Sequence, residues 1–363
     1  MSALAVLPPP TAPLGGVRPA HVAAAVGAGV AVGVLAYRRL SRSLRERREA
    51  REARERGATP AVATPAPAPR ARATGRSEAA RAVARHGTLA TAHRGRRLAG
   101  RAAWVTFAAA VAVQGTFALD GGSIPRTVAS VVLMGATAAL HATSVGGWRF
   151  GAGMVAIVAA ATWVAEAVGI ATGFPFGEYA YTGTLGPELA GVSVLVLLAW
   201  LTLAYPALVV ATRLVGEGGG LRRVARLGVA ALALTAWDVF LDPQMVDAGN
   251  WGWANPEPSL PGTPGIPLTN YAGWFLTSVV VAALLEAWHG RARRRSDARP
   301  LGRPQAQRAD AVPYAVYLWT YVSCVLGNLT FWSRPSVAVA GGVVMGTVAL
   351  PLVRALARSA NVR

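Results

Sequence analysis

Four acidic side chains in this 363-residue sequence fall inside long apolar runs or at their rims: Glu166, Asp238, Asp242 and Glu286. Hydrocarbon is a costly place for a charge, so an ionisable group at that depth marks a functional site unless a structural role explains it. Asp238 and Asp242 are four residues apart and share one helix face. Glu166 lies about two helical turns before the end of its own run. Carboxyl groups sheltered from water in this way are suited to giving and taking protons. Glu286 reads differently: it precedes His289 by three residues and Arg291 by five, so a local ion pair with arginine accounts for it. His141, near the end of another apolar run, reads as a hydrogen-bonded structural residue. No histidines and cysteines stand at metal-ligand spacing, and no glycine-rich loop follows a strand, so the chain calls for no metal and no cofactor. Cys324 is the single cysteine, and no disulfide can close within the chain.

Aromatic and amide side chains crowd around three of these carboxyl groups in sequence. After Glu166 and Gly169 comes Gly173-Phe174-Pro175-Phe176-Gly177-Glu178-Tyr179-Ala180-Tyr181-Thr182, closing on Leu185-Gly186-Pro187. The aspartates stand in Trp237-Asp238-Val239-Phe240-Leu241-Asp242-Pro243, followed by Trp251-Gly252-Trp253 and a proline-rich loop. The next run opens on Pro267-Leu268-Thr269-Asn270-Tyr271-Ala272-Gly273-Trp274. An interfacial belt is the ordinary reading of such aromatics, and it suffices for Trp148 and Trp332. It does not explain why carboxylates and glycine turns join Tyr179, Tyr181, Trp251, Trp253 and Trp274 on one side only. Pro243 is expected to stop its helix. A solvated helix end is then the ordinary alternative for Asp242, less so for Asp238, a turn deeper.

These side chains need long helices to hold them. The chain is 53% hydrophobic and only 15% charged, against about 25% charged in an ordinary soluble chain. A helix crossing about 30 Å of hydrocarbon needs about 20 mostly apolar residues. Eight runs qualify, near 103–119, 126–146, 151–173, 190–214, 223–242, 267–289, 312–332 and 335–357. With no water to satisfy backbone amides, each is expected to be helical. The fold class is therefore an all-α, polytopic transmembrane bundle of seven or eight core spans. Small residues such as Gly135-Ala136-Thr137-Ala138-Ala139 permit close helix packing. A further apolar run, 20–37, is followed by Arg38-Arg39 instead of following a basic segment. A signal peptide has the opposite order, so this run reads as an extra N-terminal span.

All 36 basic residues are arginine, and 33 of them fall in alternate loops, leaving Arg18, Arg126 and Arg334 on the other side. Arginine-rich loops face the cytoplasm. The reading is a multi-pass cell-membrane protein with its N-terminus outside, its C-terminus in the cytoplasm, and the carboxylate cluster toward the outer face. Segments follow as an outer tail (1–19), an N-terminal span (20–37), an arginine-rich, partly disordered arm (38–102), the membrane domain (103–357) and a cytoplasmic tail (358–363). The arm carries 18 arginines against five acids, +13 of the net +19. Within it, 41–56 has the charge spacing of a solvated helix and 58–71 is an Ala/Thr/Pro linker. No aromatic residue lies between Arg38 and Arg101 to stack on bases, so nucleic acid is not an expected partner. The arm reads as a surface-lying segment that sets topology.

Three ordered motifs resemble the carotenoid biosynthesis protein family, which includes carotenoid 1′,2′-hydratases and bisanhydrobacterioruberin hydratases. They are Glu166-x-x-Gly169 with Gly173-x-Pro175-Phe176-Gly177-x-Tyr179-x-Tyr181-Thr182 and Leu185-Gly186-Pro187; Trp237-Asp238-x-x-Leu241-Asp242-Pro243 with Trp251-x-Trp253; and Gly265-Ile266-Pro267-Leu268-x-Asn270-x-x-Gly273-Trp274. The resemblance covers roughly 104–357. Val192-Ser193 departs from it, since a Val-Pro pair is expected there; Ser193 should begin a helix, so the departure bears little on chemistry. The resemblance implies cofactor-independent, acid-catalysed hydration of the terminal 1′,2′ double bond of an acyclic carotenoid end group. On that reading Asp238 donates the proton and Asp242 or Glu166 positions the water. Glu178, Tyr179, Tyr181, Trp237, Trp251, Trp253, Asn270 and Trp274 surround the substrate, with aromatic faces toward a carbocation. The implied partners are a lycopene- or bisanhydrobacterioruberin-like carotenoid and the lipid bilayer, with room for contacts to other carotenoid-pathway enzymes. Two alternatives stand beside it. One is another isoprenoid end-group enzyme, a cyclase or isomerase, using the same acid without water. The other is a non-enzymatic carotenoid-binding or transport protein, although no internal repeat of the transporter kind is visible.

Overall fold

The computed structural model describes residues 75–119, 121–295 and 298–361. Eight helices lie among them: α1 (Gly75–Gly115), α2 (Ile124–Gly146), α3 (Trp148–Thr172), α4 (Val194–Val215), α5 (Leu221–Asp247), α6 (Leu268–Arg294), α7 (Ala311–Leu329) and α8 (Pro335–Asn361). Seven segments, His93–Leu119 together with α2 to α6 and Pro335–Ala360, are long and apolar enough to cross a membrane. The chain is a polytopic all-α bundle, with four short strands added in the loops. The expected span at 20–37, the helix at 41–56 and the linker at 58–71 lie outside the described residues. The basic stretch from Gly75 is helical and runs without interruption into the first span.

The remaining helix, α7, carries Tyr314, Tyr317, Trp319 and Tyr321, which lower its apolar character. It nevertheless runs from one end of the bundle to the other. Asp310, at its start, pairs with Arg299 at 2.6 Å in the arginine-rich loop. Just past its end, the Trp332 indole donates to the Gly121 carbonyl at 2.9 Å, and Arg334 pairs with Asp247 at the end of α5. Nineteen residues at 1.5 Å each span about 28 Å, so α7 matches its neighbours in reach.

Helix α4 stands at the centre and packs against α2, α3, α5, α6, α7 and α8. Its sequence is apolar on every face, which suits a helix enclosed on all sides. It is buried almost without interruption from Leu195 to Thr212. Ser193 is its N-cap residue, as its position implied.

Two expectations need correcting. Pro243 does not end its helix: α5 continues to Asp247 with the proline inside it. The ring removes the N–H that would bond Val239, but the turn beyond is held by the Asn250 N–H on the Met245 carbonyl at 2.9 Å. Asp242 is consequently a buried helical residue, not a solvated end. Glu286 is an ion-pair residue as expected, but its partners come from α5. Arg226 bonds it at 2.6 Å and Arg223 approaches to 3.4 Å. His141 is satisfied by the Tyr205 hydroxyl and the Ala309 carbonyl at 3.1 and 2.8 Å.

Candidate active site

Two aromatic-x-aromatic triplets from separate loops pair as antiparallel strands, β1 (Tyr179–Tyr181) and β4 (Trp251–Trp253). Strands β2 (Glu188–Leu189) and β3 (Val192–Ser193) form a second small ribbon leading into α4. In the first, Tyr179 faces Trp253 and Tyr181 faces Trp251 across the ladder. Alternation along a strand sends all four rings to one face, and that face roofs a cavity of about 70 Å³. Ring centroids of Tyr179 and Trp253 lie 6.0 Å apart and those of Tyr181 and Trp251 lie 5.8 Å apart.

The roof is pinned to the helices beneath it at two glycines. A Cβ on Gly169 of α3 would lie 2.8 Å from the Phe176 ring, and one on Gly273 of α6 would lie 2.6 Å from the Pro175 carbonyl oxygen. Phe176 is buried between these helices, and its carbonyl accepts from the Trp253 indole at 2.9 Å. The motif glycines thus mark the places where the loop backbone and Phe176 must approach a helix closely.

Below the roof, the three sequence-predicted carboxyl groups are all buried, but they are served differently. Glu166 accepts three hydrogen bonds, from Tyr179 at 2.5 Å, Tyr181 at 2.8 Å and the Trp200 indole at 3.0 Å. Burial, followed by the negative field of Glu166, pushes both tyrosine hydroxyls above their ordinary range, so they remain donors. The aspartates share one amide: Asn270 Nδ2 donates to Asp238 Oδ2 at 2.9 Å and also to Asp242 Oδ2. Trp251 donates to Asp242 Oδ1 at 3.2 Å. Two buried carboxyl groups held on one amide donor cannot readily both carry charge, which favours a proton on one of them. Asp238 Oδ1 finds no donor among the described residues.

Asp242, Glu166, Asn270, Trp237, Trp251, Trp253, Trp274, Tyr179 and Tyr181 all line the cavity. Asp238 does not; it sits behind Asp242, wholly inaccessible. Glu178 also stays outside, because it alternates away from Tyr179. It is exposed and bonded to Asn255 at 3.4 Å. Trp200 was not foreseen. Its ring stacks on Trp274 at 3.9 Å, its N–H reaches Glu166, and it closes one wall. Its position well inside an apolar span, where a belt tryptophan does not belong and a buried indole N–H needs an acceptor, was the available signal. No group of three or more metal-ligating side chains is found among the described residues.

Comparison with known proteins follows the same residues. A bisanhydrobacterioruberin hydratase from Haloarcula japonica is 34% identical over 133 residues. That match covers 36% of this chain and 43% of the relative, less than half its length. No solved structure matches. The family model described as carotenoid biosynthesis protein matches residues 126–349, which contain every residue lining the cavity. With more than half of its length matched and the whole carboxylate and aromatic site inside the match, the chain belongs to the carotenoid biosynthesis protein family.

Proposed function

We propose that the protein is a hydratase adding water across the terminal 1′,2′ double bond of an acyclic carotenoid end group. The observation that carries this reading is the aspartate pair bridged by Asn270 at the wall of an otherwise apolar, aromatic-lined cavity. An unactivated alkene needs a strong, well-placed proton donor. A proton shared by two carboxyl groups that one amide holds together meets that need, and Asp242 is the member of the pair that faces the cavity. Asp242 protonates the less substituted alkene carbon, leaving a tertiary carbocation. Water attacks the cation, and the proton it releases returns to the Asp242 carboxylate. One alkene and one water become one tertiary alcohol, with the acid regenerated.

This assignment moves the donor from Asp238 to Asp242 and gives Asp238 the task of holding and orienting the proton from behind. Glu166, whose oxygens already accept from three donors, acts in this reading not as the proton donor but as an acceptor facing the cation. Trp237, Trp251, Trp253 and Tyr179 present electron-rich faces around it. The name of the Haloarcula japonica relative points to the same reaction class. We also place the cavity toward the outer face of the cell membrane, since it lies at the arginine-poor end of the bundle.

Expression in a lycopene-producing bacterium, with chromatography and mass analysis of the pigments, tests the reading. Hydration adds the mass of one water per reacted end. An isomeric pigment of unchanged mass would mean that the same acid drives cyclisation or isomerisation, and unaltered lycopene would leave a binding role.

A further inference from the structure

The cavity is bordered by half-exposed side chains on two helices. On α2 these are Thr127 and Val131; on α5 they are Trp237 and Leu241. Each pair is spaced i, i+4 and so forms a stripe along one helix face. Helices α2 and α5 form no substantial interface with each other, although both border the same cavity. Depth distinguishes this opening from the roof. At 1.5 Å per residue, Thr127 and Val131 lie about 5 and 10 Å inward from the start of α2 at Ile124, and Leu241 and Trp237 about 9 and 15 Å inward from the end of α5 at Asp247. The opening therefore extends from near the helix ends down to the level of hydrocarbon.

From this placement we infer that the cavity has a lateral mouth between the Thr127/Val131 stripe of α2 and the Trp237/Leu241 stripe of α5. The polyene tail of the substrate passes through it into the bilayer. The inference rests on the hydratase reading for the identity of the occupant. Its geometry is independent of the reaction. The enclosed space is about 70 Å³, well below the roughly 300–1,000 Å³ of a site that encloses a drug-sized ligand. It admits only a small part of an end group, so the rest of a long polyene must lie outside it. An exit at bilayer depth keeps that apolar tail in lipid, and the roof keeps water entry apart from it. The end group then reaches Asp242 without the chain crossing the polar surface.

Single cysteines at Thr127, Val131 and Leu241, in a full-length Cys324→Ala background in native membranes, test the mouth. Val132, exposed on α2 but outside the cavity lining, serves as the control. The three mouth positions are expected to react with an apolar, lipid-soluble maleimide and not with a charged, impermeant one. Added lycopene should abolish most of that labelling while leaving Val132→Cys unchanged. Equal labelling by the charged reagent would mean that the opening faces water, and failure of lycopene to protect would mean that no chain lies there. Either outcome overturns the inference, as does absence of labelling at all three positions. Because the readout is labelling and not product, it separates failure of the mouth from failure of the hydratase assignment.

Discussion

Two carboxyl groups line one cavity and a third, Asp238, sits behind them; what their neighbours donate suggests the roles proposed for them. Glu166 receives three N–H or O–H donors, while the two aspartates share the Asn270 amide. Asp242→Asn is expected to lower hydration by about 10²–10⁴-fold with little change in thermal stability, read as product formed per protein in isolated membranes. Asp238→Asn should also lose activity, because an amide can bond to Asp242 but cannot share a titrating proton. Full activity in Asp238→Asn with loss in Asp242→Asn would remove Asp238 from the proton path and leave Asp242 acting alone. Trp200→Phe strips one donor from a buried carboxylate, and an unsatisfied buried group costs about 1–3 kcal/mol. A lowered Tm in detergent is expected. Sequence patterning made the carboxyl groups and their aromatic company legible, since intramembrane acids and one-sided aromatic clusters both stand out from composition. It could not rank Asp238 and Asp242. That choice depends on which side of α5 meets the cavity, and both residues share a face by spacing alone.

At the scale of elements, the site is a helix bundle roofed by two strands from different loops. Long apolar runs made the helices legible, because length and hydropathy are local properties. The pairing of Tyr179–Tyr181 with Trp251–Trp253 was not, because it joins residues far apart in sequence and each strand has only three residues. Pro243 illustrates the same limit. Local preference predicts a helix end, but packing of the following turn outweighs it. The roof depends on two close approaches, so Gly273→Ala should displace the Pro175–Phe176 segment. Overpacking of this kind costs about 1–3 kcal/mol. Loss of the Tyr179–Glu166 hydrogen bond should follow, seen as a lower Tm together with reduced hydration. Retention of both would mean that the loop yields without disturbing the site.

For the whole molecule, charge is divided between the two ends. The arginine-rich end is tied together by buried and half-buried ion pairs, among them Arg226–Glu286 and Arg293–Glu217, each at 2.6 Å. Glu286→Ala would leave the buried Arg226 uncompensated, a loss on the order of 3 kcal/mol, measurable as reduced Tm. The opposite end carries the cavity, the aromatic roof and few arginines. The net charge of +19 thus comes from the loops of one end and from the sequence of the 38–102 arm, while the proposed chemistry lies at the other end of the bundle. The most direct test of that chemistry supplies isolated membranes with lycopene in water enriched in heavy oxygen, comparing wild type with Asp242→Asn. Acid-catalysed hydration predicts one labelled hydroxyl per reacted end in the wild type and essentially none in the variant. A product of unchanged mass from the wild type, or equal labelled product from Asp242→Asn, would contradict it.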